Sequence, residues 1–166
     1  KDPSVDGIKT GHTESAGYCL IASAKRDGMR LISVVLGAKS NSERTRASQA
    51  LLNYGFHFYE TRQLYAASAK VTDAPVWLGA RNTLAVGVGE QAVAITFPRG
   101  QFDKLKATVD LPARLEAPIA KGAKLGTARV ELADKTLAEV PLVALEEVPE
   151  GSFFGRLYDR ARLLMQ

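Results

Sequence analysis

Three adjacent residues near the start of the chain, Lys9-Thr10-Gly11, bring together a fixed positive charge, a hydroxyl and a residue without a side chain. On a strand edge that set recognises an anion. The ammonium attracts it, the hydroxyl hydrogen-bonds a carboxylate oxygen, and the glycine lets a ligand backbone come close. The plain alternative is a turn leading into the first strand, with Lys9 solvated. His12 follows directly. The other reactive groups are scattered. Cys19 is the lone cysteine and suits packing within a hairpin. His57 falls among Tyr54, Phe56, Phe58 and Tyr59, which reads as an aromatic structural cluster, and Trp77 reads as a core or interdomain anchor. One cysteine and two separated histidines have no metal-ligand spacing, and no glycine loop precedes a helix to cradle phosphate, so neither metal nor cofactor is expected.

These residues need elements to hold them. Residues 17–38 read as a hairpin: "GYCLIASAK", a turn at Arg26-Asp27-Gly28, then "MRLISVVLGA". Ser40 and Glu43 have the spacing of a capping box, each able to satisfy a free amide at a helix start. Ala47, Leu51 and Tyr54 follow at helical spacing, and Gly55 is the expected stop. Beyond about Tyr65 the pattern becomes one of short strands, "PVWLGA", "TLAVGV", "AVAITFP", "LKATVDL", "KLGTARVEL" and "TLAEVPLVAL", which suits a small all-β sandwich. After Pro149-Glu150-Gly151 the tail predicts an amphipathic helix. Phe153, Phe154, Leu157, Tyr158, Ala161, Leu164 and Met165 fall on one face, with Arg156, Asp159, Arg160 and Arg162 on the other. Such a helix packs on a neighbouring domain, stands as a solvated linker, or lies in a membrane interface.

Composition narrows the classes. With 46% hydrophobic and 24% charged residues, the chain falls in the ordinary globular range. The net charge of +4 is spread along the sequence, which argues against nucleic acid and is compatible with an anionic membrane surface. No apolar run approaches the length of a membrane span. The sequence starts with neither methionine nor a signal-like segment, so it is expected to continue upstream of Lys1.

"VDGIKTGHT", "AGY", "LLNYGFHFYET", "APVWLG", "FPRGQFDKLKA" and "LVALEEVPEGSFFGRLYD" occur in an order that resembles the C-terminal half of a serine-type D-alanyl-D-alanine carboxypeptidase, a low-molecular-mass penicillin-binding protein of the five/six group. The resemblance runs over essentially the whole chain. It implies an α+β fragment of a penicillin-binding/β-lactamase-like catalytic domain over residues 1–62. A β-sandwich domain over 63–149 and the start of an amphipathic membrane-associating tail over 150–166 would follow. Lys-Thr-Gly is then the family's third active-site motif, on a strand that substrate joins like an added strand. Lys9 would keep the field positive, Thr10 would bind the terminal carboxylate, and Gly11 would leave the edge open. The backbone N–H of His12 would be an oxyanion-hole donor. Arg44 falls where the family has its carboxylate-binding arginine, with Arg46 as a neighbouring decoy.

The family's other motifs are not in the sequence: no Ser-x-x-Lys and no Ser-x-Asn occurs. The resemblance therefore implies a parent enzyme that trims peptidoglycan pentapeptide ending in D-Ala-D-Ala and is acylated by β-lactams. Its serine would be supplied by a complementary N-terminal fragment. Periplasmic location, peripheral on the inner membrane through the tail, is implied as well. Two other readings stand beside it. One is a non-catalytic β-sandwich stalk or partner-binding module. The other is a β-lactamase, against which the β-rich second half and the tail both argue.

Overall fold

Asp27 and Gly28 both adopt positive φ, 47° and 82°, the left-handed pair that a tight hairpin needs to match the twist of its strands. They join β2 (Gly17–Arg26) to β3 (Met29–Ala38), and β1 (Val5–Thr13) pairs antiparallel with β2, giving a sheet of order β1-β2-β3. The computed structural model describes residues 2–163, without the side chains of residues 161–163.

Helix α1 (Asn41–Phe58) packs on one face of this sheet. Ala22 and Ala24 of β2 are buried against Leu52, and their small size lets the helix come close. The buried hydroxyls of Ser33 and Ser48 share a hydrogen bond of 2.6 Å between strand and helix. Each satisfies the other in a place where an unpaired hydroxyl would be costly. The buried stripe of α1 is thus Ser48 and Leu52, one position beyond the expected Ala47, Leu51 and Tyr54; Leu51 and Tyr54 are exposed. Nor does Gly55 end the helix, which continues to Phe58. A Cβ at Gly55 would lie 2.4 Å from Cδ1 of Leu31, so this glycine marks close packing on β3. At the other end, Ser40 Oγ accepts the Glu43 N–H as expected. The Glu43 carboxylate reaches one residue further back than a capping box requires, accepting the Lys39 N–H at 2.7 Å.

The chain divides into two compact units. The first comprises the residues up to Thr61 together with Thr96–Phe102, and the second comprises Arg62–Ile95 and the residues from Asp103 onward. Strand β4 (Tyr59–Tyr65), which the sequence pattern does not announce, pairs with β7 (Val93–Pro98). The guanidinium of Arg99 caps the end of α1 by donating to the carbonyls of Phe56, His57 and Tyr59. The aromatic group at that helix end is exposed and has Tyr54, His57, Phe58 and Tyr59 as members. Phe56 lies apart from it, under the guanidinium of Arg26.

In the second unit six strands take the order β8-β10-β11-β6-β5-β9. They are β5 (Lys70–Trp77), β6 (Thr83–Val88), β8 (Lys106–Asp110), β9 (Leu115–Glu116), β10 (Lys124–Leu132) and β11 (Lys135–Ala144). The core follows strand periodicity: Ala74 and Val76, Leu84 and Val86, then Val140, Leu142 and Ala144 alternate inward. Ile119 and Val148 close it through a reciprocal backbone pair. Trp77, at the end of β5, is half-buried and outside this cluster. The chain ends in α2 (Phe153–Leu163), whose expected face members Leu164 and Met165 lie outside the described residues.

Two tests follow from these contacts. A Cβ at Gly87 would sit 2.2 Å from the Ala69 carbonyl oxygen, and that backbone is held by the Val88 N–H. Gly87→Ala is expected to destabilise the second unit by about 1–3 kcal/mol, the usual cost of overpacking, measurable by urea unfolding followed through Trp77 fluorescence. In the first unit, hydrogen bonds from Arg30 hold the Asp6 carboxyl below its ordinary pKa, and hydrogen bonds from Ser4 do the same for Asp2. Stability from depressed carboxyls is present above the ordinary aspartate range of about 4 and is lost as pH falls through it. Acid unfolding monitored by circular dichroism is expected to show Asp6→Asn less stable than the parent at pH 6, with the gap closing toward pH 2.

Candidate active site

Strand β1 pairs with β2 in the register Lys9↔Ile21, Thr10↔Leu20, Gly11↔Cys19 and His12↔Tyr18. Its other edge has no strand beside it among the described residues. Lys9, Thr10, Gly11 and His12 are all exposed. The Lys9 ammonium folds along the strand and donates to the Thr10 carbonyl at 2.8 Å. A Cβ built on Gly11 would meet no atom within 4 Å, so nothing inside the described chain requires glycine there. Lys9 and Thr10 line a cavity of about 710 Å³ that β1 and β2 share with α1, where Ile8, Leu20, Gln49 and Leu52 supply much of the wall. His12 lines a separate hollow of about 370 Å³ with Glu14, Tyr18 and Lys39.

Arg44 comes to this strand from 33 positions away. The Ser40 cap fixes where α1 starts, and the first turn then aims the side chain at the ends of β1 and β2. Its Nη1 donates to the carbonyls of Gly11 and Cys19, each at 2.9 Å, while Nε donates to Asn41 Oδ1 at 2.9 Å. Nη2 makes no hydrogen bond among the described residues. The guanidinium carbon stands 5.5 Å from the centre of the Tyr18 ring, whose other neighbour is the His12 imidazole, 3.9 Å between centroids. Arg46 makes no hydrogen bond or ion pair among the described residues, as expected two positions on, where the helix has turned by about 200°.

The structure thus brings Arg44 to Gly11 and, through Tyr18, to His12, while Lys9 and Thr10 occupy the same strand one step away. Sequence reasoning missed Tyr18 and Asn41. Asn41 had a signal in its i, i+3 spacing to Arg44, and Tyr18 had one in its place across the short β1–β2 connection from His12. Cys19 contributes its carbonyl to Arg44, and its thiol lies 3.7 Å from the Ala16 carbonyl. Chemically, the arrangement is an open strand edge beside two cations, one of them a fork with a hydrogen-bonding nitrogen to spare. Arg44→Lys keeps the charge and loses the fork. It is expected to destabilise the first unit by about 1–2 kcal/mol and to speed amide hydrogen exchange at the Gly11 and Cys19 end of the sheet, read by mass spectrometry.

The chain is similar to known proteins along nearly its whole length. Residues 59–150 match the family described as penicillin-binding protein 5, C-terminal domain, and residues 1–40 match the D-alanyl-D-alanine carboxypeptidase family. The chain is 43% identical over 162 residues to the D-alanyl-D-alanine carboxypeptidase DacA of Escherichia coli strain K12, covering 97% of this chain and 40% of that protein. It is 45% identical over 157 residues to DacC of the same organism, covering 94% and 39%. Penicillin-binding protein 5 from Haemophilus influenzae superposes with a TM-score of 0.83 at 38% identity, over 89% of this chain and 43% of that one. The chain therefore spans about two-fifths of the length of the curated relatives it matches. A stretch of catalytic-family strands carrying Lys-Thr-Gly, continuous with the β-rich domain found in the same relatives, makes this chain a member of the penicillin-binding protein five/six group of D-alanyl-D-alanine carboxypeptidases, corresponding to their C-terminal portion.

Proposed function

We propose that this chain supplies the carboxylate-binding wall of a serine-type D-Ala-D-Ala carboxypeptidase site and the β-rich support that carries it. The observation behind this reading is the anchoring of Arg44 on Gly11, which sets a guanidinium at the open Lys-Thr-Gly edge. A pentapeptide ending in D-Ala-D-Ala would lie along β1 as an added strand. Its terminal carboxylate would be met by the Thr10 hydroxyl and Arg44, with Lys9 keeping the local field positive. A serine from a complementary N-terminal part of the protein would attack the penultimate alanine carbonyl. The tetrahedral oxyanion would rest on the backbone N–H groups of that serine and of His12. The C–N bond then breaks, D-alanine leaves with a proton on its nitrogen, and water hydrolyses the acyl-serine. A β-lactam would acylate the same serine.

The proposed N-terminal part would have a surface to meet. Ile32, Val34 and Leu36 stand on the face of β3 opposite α1 and are 60%, 53% and 72% exposed, an apolar row that a soluble domain ordinarily covers. In this reading residues 1–62 belong to the catalytic domain, 63–149 form the supporting β domain, and 150–166 begin a membrane-associating tail. The protein would work in the periplasm, peripheral on the inner membrane. No described helix is long and apolar enough to cross a membrane. The exposed side chains of Phe153, Phe154, Leu157 and Tyr158 support interfacial contact. The core of the second unit, drawn among the described residues from that unit's own side chains, also supports a narrower role for that unit as a non-catalytic stalk.

Intact-mass spectrometry under denaturing conditions, before and after a β-lactam, tests the assignment. The protein carrying the complementary segment is expected to gain the mass of one β-lactam on a serine outside these 166 residues, and this chain by itself to gain none. Acylation of a serine within the chain, or no gain in the longer protein, would refute it.

A further inference from the structure

Helix α2 is fastened to the second unit by the polar side of its sequence. The carboxylate of Asp159 accepts the Leu78 N–H at 2.9 Å, and Arg156 pairs with Glu150. Between the helix and the end of β5 lies a cleft of about 410 Å³, lined by Trp77, Tyr158, Asp159, Asn82, Pro75 and Gly155 among others. Among the described residues its lining holds one acidic side chain, Asp159, and no basic one, in a protein whose net charge is +4. Neither Arg156 nor Arg160 lines it.

We propose that this cleft is a seat for an alkylammonium group, that of an ethanolamine lipid headgroup. Aromatic rings facing a cation, with a carboxylate alongside, are the recognised means of holding such a group. An anion gains nothing from this carboxylate, and a neutral sugar, whose hydroxyls can donate to Asp159, lacks the charge attraction that a cation adds. Asp159 Oδ2 takes the Leu78 N–H, and Oδ1 makes no hydrogen bond among the described residues, so the carboxylate keeps acceptor capacity for a ligand. Leu78 itself has φ of 60°, a left-handed conformation that a leucine rarely adopts. Strain of this kind gathers at ligand sites. A lipid is favoured over a peptide amine because Tyr158 belongs both to the cleft lining and to the exposed apolar row with Phe153, Phe154 and Leu157. That last step rests on the interfacial role proposed above for α2.

Trp77 is the only tryptophan in the chain, so its fluorescence reports the cleft directly. Titration with soluble phosphoethanolamine is expected to give a saturable change with a Kd of about 1–10 mM, while glycerol phosphate, which has the anion without the amine, gives none. Asp159→Asn keeps an oxygen for the Leu78 N–H and removes the charge. It is expected to weaken phosphoethanolamine about tenfold, leaving the unliganded emission and circular dichroism unchanged. Tyr158→Leu, which keeps an apolar side chain, is expected to weaken it as well. No saturable change, an equal response to glycerol phosphate, or an unaltered affinity in Asp159→Asn would overturn the proposal. Tighter binding of a lysine-ended peptide than of phosphoethanolamine would overturn the lipid assignment. Sedimentation with vesicles of phosphatidylglycerol, with and without phosphatidylethanolamine, separates the two readings. Equal binding to both overturns the headgroup seat and leaves interfacial contact standing. Binding to neither removes the interfacial role, while a positive soluble titration would leave an ammonium cleft of non-lipid use.

Discussion

The first unit is organised around one side chain that binds the backbone of two strands. Arg44 ties the start of α1 to the carbonyls of both β1 and β2, and its own orientation is fixed by Asn41 and the Tyr18 ring. A helix cap, a strand edge and an aromatic pair are thereby placed by a single cation. The constraint works because α1 already approaches closely along its length, where Ala22, Ala24 and the Ser33–Ser48 hydroxyl pair leave no bulk between helix and sheet. Burial of the sheet face and placement of the guanidinium are therefore two consequences of the same short helix–strand distance.

The second unit needs no such device. Its core is a set of alternating Val, Leu, Ile and Ala positions from adjacent strands, and the tightest backbone approaches occur at Gly87 and Gly126, where β-carbons would strike carbonyl oxygens. Helix α2 inverts the ordinary logic of a surface helix. The side chains that hold it are Asp159, which accepts the Leu78 N–H just past β5, and Arg156, which pairs with Glu150 just before the helix, while its phenylalanines and Leu157 are exposed. Burial drives the strands together, and polar contacts hold the helix against them with its apolar side outward.

Strands with clean alternation or a tight turn were legible in the sequence, as were the α1 cap and the family motifs. Three features were not, for different physical reasons. The buried stripe of α1 runs through Ser48, and a polar residue satisfied by another polar residue carries no hydrophobic signal. Gly55 looked like a stop because glycine ends helices through its freedom, yet it is retained inside this helix for its smallness against Leu31. Strand β4 was missed because "YETRQLY" is mostly solvated and owes its conformation to pairing with β7, a partner about thirty positions away. In the candidate site, Lys9, Thr10, Gly11 and His12 were singled out by motif and Arg44 by its place in the family resemblance. Tyr18 and Asn41 entered only with the geometry, since neither residue type announces a role in holding an arginine.

The vacant space around Gly11 separates two kinds of selection. At most core positions a change is felt first by folding, so stability and function are screened together. At Gly11 an added side chain meets no neighbour in the described chain, and its backbone conformation does not require glycine. A stability screen of this protein would score the position as freely replaceable. Only something lying against the outer edge of β1 would register the change, so mutational tolerance measured on the isolated chain would be high at the edge proposed here to meet a ligand.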